Sequence, residues 1–259
     1  MSTIPGIVAV NTFCEAIRDR VLYNLIFFAL MMMAAAVLVG GVSIGIERDV
    51  IVNLGLSAIS LFGIVMAIFI GVGLVYKEIE KRTLYSLLAK PVQRWQFLVG
   101  KFAGLLLTLT VNTSLMAIGL AAALFYVTRK FERSDGIIVV AIYFILLELA
   151  LITALALFFS CFSSPMLSTL YTLGIYIAGV FSPDIRDIGM VTRNPTVKVV
   201  AQFTYYILPN FHNFNAIAAA AHKETIPSAL IWQNTLYAAL YVTVVLIGAS
   251  AIFSGRDLK

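Results

Sequence analysis

Five stretches of the chain are apolar over lengths that no half-buried strand or soluble amphipathic helix would reach. Residues 21–46, 50–76, 102–128 and 225–255 contain no Asp, Glu, Lys or Arg, and residues 136–183 contain one, Glu148. A bilayer core about 30 Å thick takes roughly 20 apolar residues per helix, so each of the first four runs predicts one span. The fifth is long enough for two. The predicted spans lie near residues 21–44, 51–76, 97–126, 136–159, 165–182 and 229–253. The expected class is an all-α membrane protein with a single transmembrane domain over residues 1–259, because helices satisfy their own backbone in lipid and barrel strands would alternate apolar with polar.

The segments outside the spans have patterns of their own. Across residues 5–20, Val10, Phe13, Cys14, Ile17 and Val21 recur at three- and four-residue spacing, with Asn11, Glu15, Arg18 and Asp19 between them. This predicts an amphipathic helix lying in the membrane interface. Residues 77–90 predict a second short helix. Glu78 and Arg82 stand four apart, Leu84, Leu87 and Leu88 form an apolar stripe, and Pro91 ends the helix. Such a helix suits docking on a cytosolic partner, and it equally suits a hairpin packed on its own bundle. Residues 183–228 are punctuated by Pro183, Pro195, Pro209 and Pro227. Two apolar pieces there, 197–208 and 215–221, are too short to cross and predict interfacial or re-entrant helices, with Tyr205, Tyr206, Phe211 and Phe214 at headgroup level.

Composition narrows the class. Only 12% of residues are charged and 61% are hydrophobic, against roughly a quarter charged in a soluble domain. A soluble enzyme and a disordered chain are excluded. The net charge of +5 has no basic stripe interleaved with aromatics, so nucleic acid is not expected as a partner. The cations cluster at span ends, as contact with membrane lipid requires. Placing both termini in the cytoplasm puts Arg18, Arg20, Lys77, Lys81, Arg82, Lys90, Arg94, Lys101, Arg256 and Lys259 inside, ten of the eighteen Lys and Arg. The positive-inside rule favours that orientation.

The residues around 78–101 then resemble a known family. Glu78-x-Glu80-x-x-Thr83-Leu84, Leu87-Leu88, Pro91-Val92, Arg94-Trp95 and Gly100-Lys101 are similar to the signature between spans two and three of type-2 ABC exporter permeases. Leu208-Pro209-Asn210-Phe211 with Asn213-Phe214-Asn215 is similar to the stretch before the last span of that family. Within it, the chain looks most like the permeases grouped with multi-copper-enzyme maturation. The resemblance implies a homodimer, each copy resting on a separate cytosolic ABC ATPase, in the cytoplasmic membrane of a prokaryote. It implies that Glu78, Glu80, Arg82, Thr83, Leu84, Leu87 and Leu88 belong to the coupling helix. Arg82 stands where many relatives have glycine. ATP and magnesium are expected on the partner, since the chain has no G-x-x-x-x-G-K-[ST] phosphate loop and no cofactor of its own is expected. An extracytoplasmic protein at 183–228 is a further possible partner, and the alternative to an ATP-driven permease is a secondary transporter or channel.

Glu148 is the ionisable residue to explain. It lies 12 residues after Gly136, about 18 Å along a helix and close to mid-membrane. Intramembrane carboxylates face the bundle interior and mark functional sites by default. Glu148, with Asn112, is therefore a candidate for the translocation path. The structural alternative is a protonated glutamate bonded to a neighbouring span, with Thr108, Asn112, Thr113 and Ser114 as partners. Met31-Met32-Met33 cannot converge on one ion because consecutive helical residues point apart, and no metal site is expected. Gly41-x-x-x-Gly45 and Gly100-x-x-x-Gly104 match the small-residue packing motif, a match expected by chance among 17 glycines.

Overall fold

The computed structural model describes residues 4–18, 20–42, 45–80, 93–130, 135–192 and 194–255. In chain order the helices are α1 (Ile4–Ile17), α2 (Arg20–Val42), α3 (Glu47–Glu80), α4 (Arg94–Thr128), α5 (Gly136–Ser160), α6 (Pro165–Val180), α7 (Ser182–Val191) and α8 (Pro195–Ile207). A 3-10 turn (Phe211–Phe214) follows, then α9 (Ile217–Ala221) and α10 (Ser228–Gly255). Among the described residues, α2, α3, α4, α5 and α10 are long and apolar enough to cross a membrane. A sixth crossing results if the bent pair α6–α7 counts as one. The chain is a multi-pass helical membrane protein.

The sixth crossing departs from a straight helix over residues 165–182. α6 is 16 residues long, about 24 Å, which is less than the apolar core needs. Beyond Phe181 the chain bends by 53° into α7. Pro183 explains the bend. It has no N–H to give and its ring crowds the carbonyl four residues back, at Gly179.

α5 is the central helix, apolar on all sides and packed by α3, α4, α6, α9, α10 and the 3-10 turn. α3 lies along it on glycine seats. A Cβ on Gly63 would come within 2.9 Å of Leu149 Cδ1, and one on Gly71 within 3.0 Å of Ala156 Cβ. α10 is mostly exposed along its length and turns a few positions inward, among them Asn234, Ala238, Ala249 and Phe253.

α1 packs against α4, and the face it buries there is not the apolar one that the sequence pattern marks. Val8, Thr12 and Ala16 turn inward, whereas Ile7, Val10 and Cys14 are exposed. In lipid the apolar side needs no cover, and close approach is given by small residues instead. The seat is Gly100 and Gly104. A Cβ on Gly100 would stand 2.7 Å from Val8 Cβ, and one on Gly104 would stand 2.6 Å from Thr12 Cβ. This glycine pair is therefore filled within the chain. The other pair makes no helix face at all, since Gly45 lies beyond the end of α2 with φ +88°. Lys101 reinforces the α1 seat. Its ammonium group is buried, 3.8 Å from Glu15 Oε2 and 5.8 Å from the centre of the Phe97 ring.

At the opposite end of the bundle a guanidinium ties three elements. Arg48, at the start of α3, donates from Nε and Nη2 to Asp135 Oδ1 at 3.1 and 2.7 Å. Asp135 caps α5. From Nη1 Arg48 donates to the Ala221 carbonyl at 2.9 Å, at the last residue of α9.

Candidate functional site

Glu148 is 7% exposed, on the face of α5 turned toward α3 and α6. Ser60 Oγ of α3 donates to its Oε2 at 3.3 Å, and the Tyr176 hydroxyl of α6 bonds to it from the other side. The partners expected on α4 are not used. Thr108 and Ser114 donate instead to the carbonyls four residues back, Gly104 and Thr110, at 2.9 and 2.7 Å. Such in-helix bonds satisfy a hydroxyl without a neighbour. Thr113 is buried. Asn112 is buried too, but its amide faces Met66 Sδ at 3.8 Å, between α4 and α3, and is not part of the Glu148 lining.

That lining encloses a cavity of about 250 Å³. Ile145 and Glu148 line its α5 wall, Ser57, Ser60, Leu61 and Ile64 the α3 wall, and Tyr176 with Val180 the α6 wall. The remaining wall is the turn between α8 and α9. Phe211 and Phe214 are each 1% exposed and pack into the core, not at headgroup level as their position in a proline-rich segment predicts. His212 and Asn215 of the same turn are exposed at the mouth.

The turn reaches the bundle interior because α6 stops short and leaves room. Gly179 makes the approach possible: a Cβ there would collide with the Pro209 carbonyl oxygen and stand 2.7 Å from the Phe211 ring. A row of polar groups on α10 then holds the backbone. Asn234 donates to the Asn213 carbonyl at 2.7 Å, the Asn210 N–H donates to the Tyr237 hydroxyl at 2.9 Å, and the Tyr241 hydroxyl donates to the Ile207 carbonyl at 2.9 Å. Non-helical backbone inside a membrane protein needs such partners. Sequence reading missed these three residues. Their spacing of three and four places them on one face of an otherwise apolar span, which was the available signal.

Of the residues assigned to the coupling helix, the backbone of Glu78 and Glu80 is helical, as the last turn of α3. Arg82, Thr83, Leu84, Leu87 and Leu88 lie outside the described residues.

A buried carboxylate in a cavity beside a broken span and a re-entrant turn places the protein among polytopic membrane proteins built around an internal polar site. More specifically, the chain belongs to the ABC-2 transporter family: the family model described as "ABC-2 family transporter protein" matches residues 7–258. It is an ABC permease subunit, a membrane transport component of a family that is generally non-enzymatic and works with ATPase partners. No curated protein matches the chain significantly.

Proposed function

We propose that the protein is the membrane-spanning half of an ATP-driven exporter. Two identical copies pair in the cytoplasmic membrane of a prokaryote, both termini cytoplasmic, and each rests on a separate cytosolic ATPase. The observation that carries this reading is the pair of helices that end at Glu80 and begin at Arg94. α3 and α4 are the two longest helices, 34 and 35 residues, about 50 Å each. α3 continues beyond its apolar stretch, Glu47–Gly73, to Glu80, and α4 starts at Arg94, so a push between them would enter two long helices at once. α1 rides on α4 through Gly100 and Gly104 and moves with it. Closure of the ATPases would press the paired segments together and switch the bundles between inward and outward states. In this reading Glu78, Glu80, Arg82, Thr83, Leu84, Leu87 and Leu88 face or support the ATPase, and the Glu148 cavity and Asn112 lie along the path.

Within the family, a nearer kinship with the permeases grouped with multi-copper-enzyme maturation is part of the same proposal and rests on resemblance of sequence. An extracytoplasmic protein partner is supported by α8, where Val199, Phe203 and Tyr206 stand exposed on one face. Co-purification tests the central claim. The tagged permease, purified from its own host's membranes, should retain a cytosolic ABC ATPase, and Glu78→Lys with Glu80→Lys should release it. An undiminished complex would remove the coupling role from this segment. Substrate flux in vesicles lacking any ATPase would favour a secondary transporter or channel instead.

A further inference from the structure

We infer that the Glu148 cavity is a binding site for an organic ammonium group. Three properties of the lining converge on that chemistry. The first is charge. Glu148 is the one Asp, Glu, Lys or Arg among the lining residues, so a cation entering the cavity meets a carboxyl group and no Lys or Arg. Its two protein partners, Ser60 and Tyr176, are neutral hydroxyls. A carboxylate has about four acceptor positions, so capacity remains for a ligand.

The second property is aromatic. Tyr176 supplies a half-buried ring to the lining, and Phe211, 5.1 Å from it between ring centres with planes inclined by 57°, and Phe214 back it from the core, each 1% exposed. Ring faces attract ammonium groups, most strongly where water is excluded. A carboxylate set beside aromatic walls recognises the charge and the apolar shell of an alkylammonium together. The third property is size. At about 250 Å³ the space equals roughly eight waters at about 30 Å³ each. A bare metal ion would leave most of it unfilled, and among the described residues no three His, Cys, Asp or Glu side chains gather to hold one. A trimethylammonium or primary amine with its first carbons fits. His212 and Asn215 at the mouth offer hydrogen bonds to whatever the ammonium carries.

Binding itself does not depend on the coupling mechanism; the role of the site in transport does rest on the exporter reading. The experiment uses the purified permease in lipid nanodiscs without ATPase, titrated with choline by calorimetry. Choline should bind saturably. Its uncharged carbon isostere, dimethylbutanol, should bind at least about tenfold more weakly, the scale of a desolvated cation–ring and ion-pair contact. Glu148→Gln should lose choline to a similar degree, and Phe211→Leu should lose severalfold. Equal binding of choline and the isostere to the unaltered protein overturns the assignment without reliance on any variant, as does an unchanged affinity in a folded Glu148→Gln protein. Failure of this titration leaves ATPase co-purification intact, and loss of co-purification leaves the titration intact, so the two readings fall separately.

Discussion

Replacing Arg48 by Met should unfasten the end of the bundle where α3, α5 and α9 meet. The side chain is 13% exposed and that of Asp135 is 12% exposed, so solvent screens the pair only partly. Arg48 makes two charge-assisted hydrogen bonds to Asp135 and one to the Ala221 carbonyl. Hydrogen bonds to charged groups contribute about 1.5–3 kcal/mol each, and they are not additive within one guanidinium. A total loss of about 2–4 kcal/mol follows for Arg48→Met, in the range of removing one partner from a largely buried pair. A double-mutant cycle with Asp135→Asn isolates the pair, and its coupling should exceed about 1 kcal/mol, above the usual value for exposed ion pairs. Reversible denaturation in mixed micelles measures the cycle. Hydrogen exchange supplies a local readout. The amides of α9 should exchange faster in Arg48→Met, because the carbonyl at the end of that helix has lost its donor, while those of α4 near Gly104 should not change. A coupling below about 0.5 kcal/mol would refute the clamp, and so would unaltered exchange in α9.

Two further outcomes test the packing. Gly104→Val should destabilise the protein by about 1–3 kcal/mol, the cost of overpacking, and should raise exchange across α1. Gly41→Val, whose Cβ meets nothing within 4 Å, should leave thermal stability unchanged; equal effects at the two sites would refute the α1 seat. Tyr237→Phe strands the Asn210 N–H and Asn234→Ala strands the Asn213 carbonyl, each costing about 1–3 kcal/mol. Both should expose residues 208–215 to limited proteolysis more than Tyr241→Phe, whose bond is solvent-exposed, and the reverse ranking would remove α10 as the holder of the turn.

The spans were legible because a membrane helix announces itself by length: twenty uncharged apolar residues have few other uses. Glu148 was legible for the converse reason, as a lone charge in such a run. Its partners were not, because a single Ser60 or Tyr176 in a span can bond its own helix or water as readily as a neighbour. Which face of α1 packs inward was not legible, for a physical reason. Apolar periodicity marks the buried side of a soluble helix, whereas in lipid Val10 and Cys14 can face outward while Thr12 and Ala16 pack on glycine. The same inversion hides the re-entrant turn. Phe211 and Phe214 in a proline-rich stretch look interfacial, and only the shortness of α6 and the missing Cβ of Gly179 bring them into the core.

α3 connects these features. It begins at Glu47 beside the Arg48 clamp, passes Ser57, Ser60 and Ile64 at the cavity, and continues without a proline to Glu80. Three of its four glycines are seats. Gly55 is closed by Leu120 of α4, and Gly63 and Gly71 by Leu149 and Ala156 of α5, so the helix is keyed to both neighbours from Gly55 to Gly71, while a Cβ on Gly73 would meet nothing within 4 Å. A rod keyed in this way cannot slide past α5 without expelling those side chains from their seats, since packed interfaces shift between discrete arrangements and do not deform smoothly. If an ATPase acts on the segment that follows Glu80, the smallest unit it can move includes α3 and α5 together. Ser60 and Glu148 then travel as a pair, and the cavity changes mainly where it meets separately anchored parts, Tyr176 on the short α6 and Phe211 on the turn held by α10. The wall bearing the aromatic rings, not the carboxylate floor, is therefore the part of the site that a stroke would open.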